Sequence, residues 1–303
     1  MLVRGLTGLA VVVSGASAAF STRASATQNS PPAAIERSTA DGYRVTFTTI
    51  NRNSKQPGNS VTQNIVMQVA NGLARIDYSG AGVANLPAGA YTVYDAATSR
   101  MTMVLPTERQ FVPMDSTGVG PTLGQARSML NMVFTDVTAT KDTLGVGELV
   151  LGYATRKFRV TMGFTAQINI EGTKFSLRTE TESETQLSSE VSLLDPGFRM
   201  YGLSAQKTMG TDALFNGDTA MLRTAAIAAI PDAGFPMTQT TTTRIISAAD
   251  TSTIESTMRV TAFTKTAIDR TTFEVPIGFT ATDIGAMARK RVAEQPEPPA
   301  ARR

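Results

Sequence analysis

Residues 157–170 read KFRVTMGFTAQINI. Taken every second position from Phe158, the set is Phe158, Val160, Met162, Phe164, Ala166, Ile168 and Ile170; the intervening set is Lys157, Arg159, Thr161, Gly163, Thr165, Gln167 and Asn169. Alternation without a miss is the signature of a strand with one covered face and one wet face. At about 3.3 Å per residue the stretch spans roughly 46 Å, far more than the usual strand of about 5–6 residues. A strand so long twists, and a sheet built from such strands must curl.

The segments around it repeat the pattern. KFSLRTETESETQLSSEV (174–191) is the natural antiparallel partner, with Phe175, Leu177, Thr179, Thr181, Ser183, Thr185 and Leu187 on one face and Lys174, Arg178, Glu180, Glu182 and Glu184 on the other. Upstream, 43–50, 61–80, 90–95, 100–106 and 109–114 read as a strand meander, with Asn71-Gly72 a two-residue hairpin signal. Residues 134–144 alternate again, as do 235–248 and 252–265, and 273–284 reads as a closing edge segment. Helical spacing is expected at 121–134, at 195–210 behind Asp195-Pro196, and at 216–231, an Ala-dense run ended by Pro231. Hairpin-linked strands imply an antiparallel sheet. The expected fold is mainly β: a curved antiparallel half-barrel closed on its concave side by a few α-helices.

The chain has 303 residues, 28 basic and 25 acidic, with a formal charge of +3. That balance is no footprint for nucleic acid. There is no Cys and no His, which removes Ser-His-Asp and Cys-His catalysis, His- or Cys-held zinc, and disulfides. The N-terminus reads as an export signal: Arg4, then a short apolar run to Phe20, then Ala24-Ser25-Ala26 as a small-x-small cleavage site. The expected organisation is a signal over 1–26, a polar leader over 27–40, one domain over 41–280, and a charged, Pro-rich helical or disordered tail over 281–303. Localisation is expected to be periplasmic or secreted after cleavage near Ala26.

No catalytic residue, metal or cofactor is expected. Asp77, Tyr78, Asp95 and Glu108 could bring carboxylates together across the meander, but nothing fixes their separation. The Gly-rich 80–91 lacks the Lys-Ser/Thr of a phosphate loop and reads as a connector. The run Glu180, Glu182, Glu184 reads as a solvated face, since hard-cation sites need oxygens converging from turns or several elements. Lys157 and Arg159 read likewise. The candidate binding surface is apolar and rich in Met, a flexible side chain suited to varied apolar partners: Met67, Met101, Met103, Phe158, Val160, Met162, Phe164, Ile168, Met258 and Val260.

Several stretches in order, LARIDYSG (73–80), YTVYDAATSRMTMVLPTERQFVPM (91–114), GYATRKFRV (152–160), GFPMTQTTTT (234–243) and IDRTTFEVPIGF (268–279), are similar to the bacterial proteins grouped as domain of unknown function 4412. Those proteins resemble the periplasmic outer-membrane lipoprotein carrier superfamily. The resemblance implies a half-barrel with an apolar concave face and no catalytic residues. It departs where such proteins often carry a Trp, since the corresponding SLLDPGFRMY (192–201) has none. The function so read is a non-enzymatic exported protein with a lipid, an acyl chain or a lipoprotein as cargo. The alternatives are an envelope interaction or sensor module with a filled core and a protein partner, and an outer-membrane barrel, which the charged C-terminus disfavours.

Overall fold

The computed structural model describes residues 39–55, 58, 60–79, 88–98, 100–114, 133–170, 173–201 and 234–282. The strands are β1 (Thr39–Asn53), β2 (Val61–Ala70), β3 (Leu73–Ser79), β4 (Tyr91–Asp95), β5 (Arg100–Leu105), β6 (Gln110–Pro113), β7 (Val133–Val146), β8 (Arg156–Ile170), β9 (Thr173–Ser188), β10 (Phe235–Ser247), β11 (Thr251–Asp269) and β12 (Thr280–Ala281). They form one open sheet of 12 strands in the order β12-β6-β5-β4-β3-β2-β1-β11-β10-β9-β8-β7. Two meanders, β1–β6 and β7–β11, are thus spliced where β1 lies antiparallel to β11, from Thr39 opposite Asp269 to Asn53 opposite Ile254.

The opening stretch is β8, and its partner is β9, in register from Arg156 opposite Leu187 to Ile170 opposite Thr173. The Asn71-Gly72 hairpin forms as the sequence indicates, with φ of 53° and 78°, the pair of positive values a type I′ turn requires. Only β12 departs from antiparallel order. It pairs parallel to β6, Thr280 opposite Gln110. It arrives after the chain has crossed a face of the sheet, so no hairpin dictates its direction.

Two of the three expected helices fall outside the described residues in whole or most part: 216–231 entirely, and 121–132 of the first, whose last residues Val133 and Phe134 begin β7. Of 195–210, Pro196–Tyr201 is a 3₁₀ helix and 202–210 lies outside. The α-helix that is described, α1 (Ser189–Leu194), takes its first three residues, 189–191, from the end of the stretch read as the alternating partner strand. Its start coincides with the end of pairing, where Ser188 lies opposite Phe235.

The 3₁₀ turn is fixed to the β2–β3 hairpin by Asp195. This buried carboxylate accepts the Gly72 N–H at 2.9 Å and the Gly197 N–H at 2.7 Å. A Cβ on Gly197 would lie 2.7 Å from the Leu73 carbonyl oxygen, so only glycine permits this approach. Phe198 is thereby driven into the core, 1% exposed, with its ring centroid 5.0 Å from Phe235, 5.6 Å from Tyr43 and 5.7 Å from Phe263. It is the large aromatic of the segment where the resembled family often has Trp.

The principal core lies on one face and includes Val45, Phe47, Met67, Val69, Ile76, Tyr94, Leu105, Val112, Val150, Phe235, Met237 and Val260. A second core lies on the opposite face of β2–β5. There Ala70, Tyr91, Val93 and Val104 pack against Ile268, Phe273, Val275 and Phe279, so β4 is buried on both sides, unlike the one-sided pattern expected of the meander. The Arg75 guanidinium sits 3.6 Å from the Tyr91 ring centroid and donates to the Thr272 carbonyl at 3.1 Å, fastening this C-terminal segment to the sheet.

Replacing Asp195 by Ala removes the acceptor of the buried Gly197 N–H and of the half-buried Gly72 N–H and should lower unfolding free energy by about 1–3 kcal/mol. Phe198→Ala should cost about 3–5 kcal/mol. Leu193→Ala, at a surface position 78% exposed, should stay within about 0.5 kcal/mol of the parent. Urea unfolding followed by far-UV circular dichroism checks all three.

Candidate functional site: the β8 face

The register of β7–β11 separates two faces. On one, four apolar residues of β8 lie beside hydroxyls of β9, Phe158 by Thr185, Val160 by Ser183, Met162 by Thr181 and Phe164 by Thr179, while Ala166 and Ile168 lie opposite Leu177 and Phe175. The rows continue on β10 through Gln239, Thr241, Thr243 and Ile245, and on β11 through Met258, Ser256, Ile254 and Ser252. An apolar wall therefore adjoins a hydroxyl-bearing floor. The floor is partly self-satisfied: Ser183 and Thr241 hydroxyls lie 3.1 Å apart, Thr181 and Thr243 3.3 Å, and the Gln239 amide donates to Ser183 at 3.0 Å.

One row is not satisfied. It runs Thr185, Gln239, Met258, Thr49, Gln63 across β9, β10, β11, β1 and β2. Thr185 and Gln63 are 3% and 4% exposed, yet the Thr185 Oγ1 and Gln63 Nε2 have no hydrogen-bond partner. Buried polar atoms are nearly always paired. The two stand at opposite ends of this row, and the Asn169 Oδ1 and Ser188 Oγ are likewise unpartnered elsewhere on the sheet.

The opposite face of the same strands is an ion-pair ladder. Lys157 reaches Glu184 at 2.5 Å, Arg159 bridges Glu184 and Glu182, Arg178 reaches Glu180 at 2.8 Å, and Arg244 approaches Glu180 at 3.8 Å. Lys157 foremost, with Arg159, holds the Glu184 carboxyl below the usual carboxylate range. Arg178 does the same for Glu180. Glu182 and Glu184 are thus the partners of the basic positions of β8, and Glu180 is held by Arg178 of β9 and Arg244 of β10. Among the described residues no group of three or more Asp or Glu is placed to hold a metal ion.

The carboxylates of the first meander are held apart by local bonds. Asp77 is gripped by Arg75 at 2.6 Å. Asp95 accepts the Ala97 N–H and the Thr98 hydroxyl of its own turn, both at 2.8 Å. Glu108 sits in a 3₁₀ turn, Pro106–Glu108. Tyr78 is half-buried; desolvation of its phenol pushes the pKa upward, and it shares a 3.2 Å hydrogen bond with Thr92. Most of the Gly-rich connector, 80–87, lies outside the described residues.

The ten candidate binding residues fall into two groups. Met67, Met101 and Val260 belong to the principal core, and Met103 and Met258 pack against it. Phe158, Val160, Phe164 and Ile168 are buried, Met162 is half-buried, and none of these five belongs to either described core cluster. The structure brings the second group together as one column on β8. The hydroxyls of β9 were visible in its alternation. Gln63, Gln239, Thr241 and Thr243 were not assigned to the same surface, because only pairing register places them there.

No protein-family model matches the chain, and no curated protein matches it. Among solved structures, the crystal structure of LolA superfamily protein NE2245 from Nitrosomonas europaea aligns over 78% of this chain and 92% of its own, at 5% identity and a TM-score of 0.27. No residue role is taken from it.

Carboxyls held below their ordinary range contribute stability that is present at neutral pH and lost as pH falls through their folded values. Acidification below about pH 4 should therefore destabilise the protein in part through Glu184 and Glu180. In Glu184→Gln the acid limb of a thermal-midpoint profile should be shallower. The difference between parent and variant should shrink in about 0.5 M NaCl, because these side chains are partly exposed and screened.

Proposed function

We propose that this is an exported, non-enzymatic protein that binds a lipid or acyl-chain amphipath along the β8 face of a curved half-barrel. The observation that carries this reading is the column Phe158, Val160, Met162, Phe164, Ile168. It is apolar and lies outside both described cores, beside a row that ends in two unpaired buried polar atoms. An acyl chain suits the wall, and an uncharged hydrogen-bonding group suits the floor. The first group of candidate residues then serves folding, and the second serves the ligand. In this reading the leader is cut after Ala26, so that Thr27 begins the mature chain.

Mass spectrometry of an organic extract from protein purified from the periplasm without detergent tests the reading. A stoichiometric lipid is expected. Met162→Glu sets a carboxylate between Ala139 and Thr181 on the neighbouring strands, and should empty the protein while leaving its circular dichroism unchanged. An empty parent extract overturns the proposal.

The alternative, an envelope protein-interaction module, is favoured by one observation: Val45, Met67, Val69, Val104 and Met237 are all at 0% exposure, so much of the sheet is a filled core. Recovery of a stoichiometric protein partner without lipid would select it. An outer-membrane barrel fits poorly with a sheet whose edges are β12 and β7 and whose β8–β10 outer face carries ion pairs rather than an apolar band. Among the described residues, no helix is long and apolar enough to cross a membrane.

A further inference from the structure

Asn71-Gly72, the turn between β2 and β3, is also the dipeptide in which an asparagine amide is most open to attack from its own backbone, because glycine has no side chain to shield its nitrogen. In that reaction the Gly72 N loses its proton and bonds to the Asn71 Cγ. The Cγ–Nδ2 bond breaks, and the side-chain nitrogen takes up a proton and leaves as ammonia. Water then opens the five-membered imide at either carbonyl, leaving an aspartate or an isoaspartate at position 71. The balance is one amide and one water for one carboxyl group and one ammonia. Asn71 is exposed, so water and base reach it.

The fold restrains the atom that must attack. The Gly72 N–H donates to the buried Asp195 carboxylate at 2.9 Å, and the Gly72 carbonyl accepts the Ala96 N–H at 2.9 Å. Gly72 is packed between two neighbours as well, since a Cβ on it would lie 3.8 Å from both the Ala96 Cβ and the Pro196 Cβ. Turning the nitrogen toward the Asn71 side chain breaks the bond to Asp195, a charge-assisted bond and so one of the stronger kind. Removing its proton in place would set an amide anion beside a carboxylate, which like-charge repulsion opposes.

The reaction would be costly to this fold. An isoaspartate adds a carbon to the main chain inside a turn that has room for two residues, between Ala70 and its opposite number Leu73. A slip in that pairing turns Met67, Val69, Ala74 and Ile76, all of the principal core, off their face.

We propose that Asn71 is a latent deamidation site and that the Asp195 carboxylate guards it, holding the reaction off while the segment after α1 stays docked on the β2–β3 hairpin and releasing it when that contact opens. This stands apart from ligand binding on the β8 face and does not need it.

The test holds the full-length protein in mildly alkaline buffer and reads conversion by tandem mass spectrometry on the tryptic peptide that ends at Arg75. The peptide that ends at Arg223 carries the other Asn-Gly pair of the chain, Asn216-Gly217, and is read separately. In the folded parent, Asn71 should convert at least about tenfold more slowly than in the same protein unfolded in urea. Asp195→Ala should raise the folded-state rate by about tenfold, the scale of one hydrogen bond to a charged group. Asp195→Asn keeps an oxygen acceptor without the charge and should raise it several-fold; the new amide is inert to the same reaction, because Pro196 has no N–H. Val260→Ala loosens the core at the seam of β1 and β11 and should leave the rate near that of the parent. Equal rates in folded and unfolded parent overturn the proposal. So does the parent rate in either Asp195 variant, once circular dichroism shows it folded. An acceleration in Val260→Ala equal to that in Asp195→Ala overturns it too, since protection would then come from global stability rather than from the carboxylate.

Discussion

The structure depends on the antiparallel seam between β1 and β11. Every other antiparallel pairing in the sheet joins strands adjacent in sequence order, and all but β9–β10, joined through residues 189–234, close over shorter connections. The seam cannot. It brings Thr46 and Thr261, 215 residues apart, to a 3.3 Å side-chain contact with the backbone, and without it there would be two separate meanders. Bringing such distant segments together has an entropic cost that grows slowly with length, and pairing of this kind forms late and slowly. What offsets that cost is on the inner face: Val45, Phe47 and Val260 are almost wholly removed from water, and Tyr43 and Phe263 stack on Phe198 from the connection between β9 and β10.

The same seam gives the sheet its division of labour. Around it the inner face is filled by aromatic and branched side chains, closed from the side by Asp195, Gly197 and Phe198. Toward β7 the filling stops being purely apolar. Hydroxyls and amides replace it on β9 and β10, and only β8 keeps a continuous greasy column. A sheet built for stability alone would put Val or Ile where Thr179, Thr181, Ser183 and Thr185 stand, because those positions share the face of the β8 apolar column and two of the four, Thr179 and Thr185, are buried. The polar floor is a local disagreement with the core pattern.

The outer face is managed differently at the two ends. Over β8–β10 it is wet and laddered with ion pairs in direct cross-strand register, such as Arg159 with Glu184 and Arg244 with Glu180. Over β3–β5 it is dry, because the chain after β11 turns back and lays Phe273, Val275 and Phe279 across it. The edge strand β7 has register breaks near Thr135–Thr138 and Thr143–Gly145, with Asp136 and Gly145 at positive φ. Such bulges discourage a further strand from pairing there.

Strand identity, strand faces and hairpin turns were legible in the sequence because they rest on periodicity and on turn chemistry, both of which act within a few residues. The alternation of β8 and β9 assigned the ion-pair ladder to one face and the apolar column to the other, and Asn71-Gly72 announced its turn. Nothing local could report that β1 lies beside β11, that β12 adds parallel to β6, or that Met67 and Val260 join the principal core while the equally apolar Phe158 and Val160, also buried, do not. These follow from which strands neighbour one another and in what register, and register is decided by the joint burial of side chains far apart in the chain. The sequence by itself determined an alternating, cysteine- and histidine-free β chain with one exceptional strand. Only the tertiary structure decided what that strand faces, because the partners across the sheet are chosen by collective packing rather than by any segment alone.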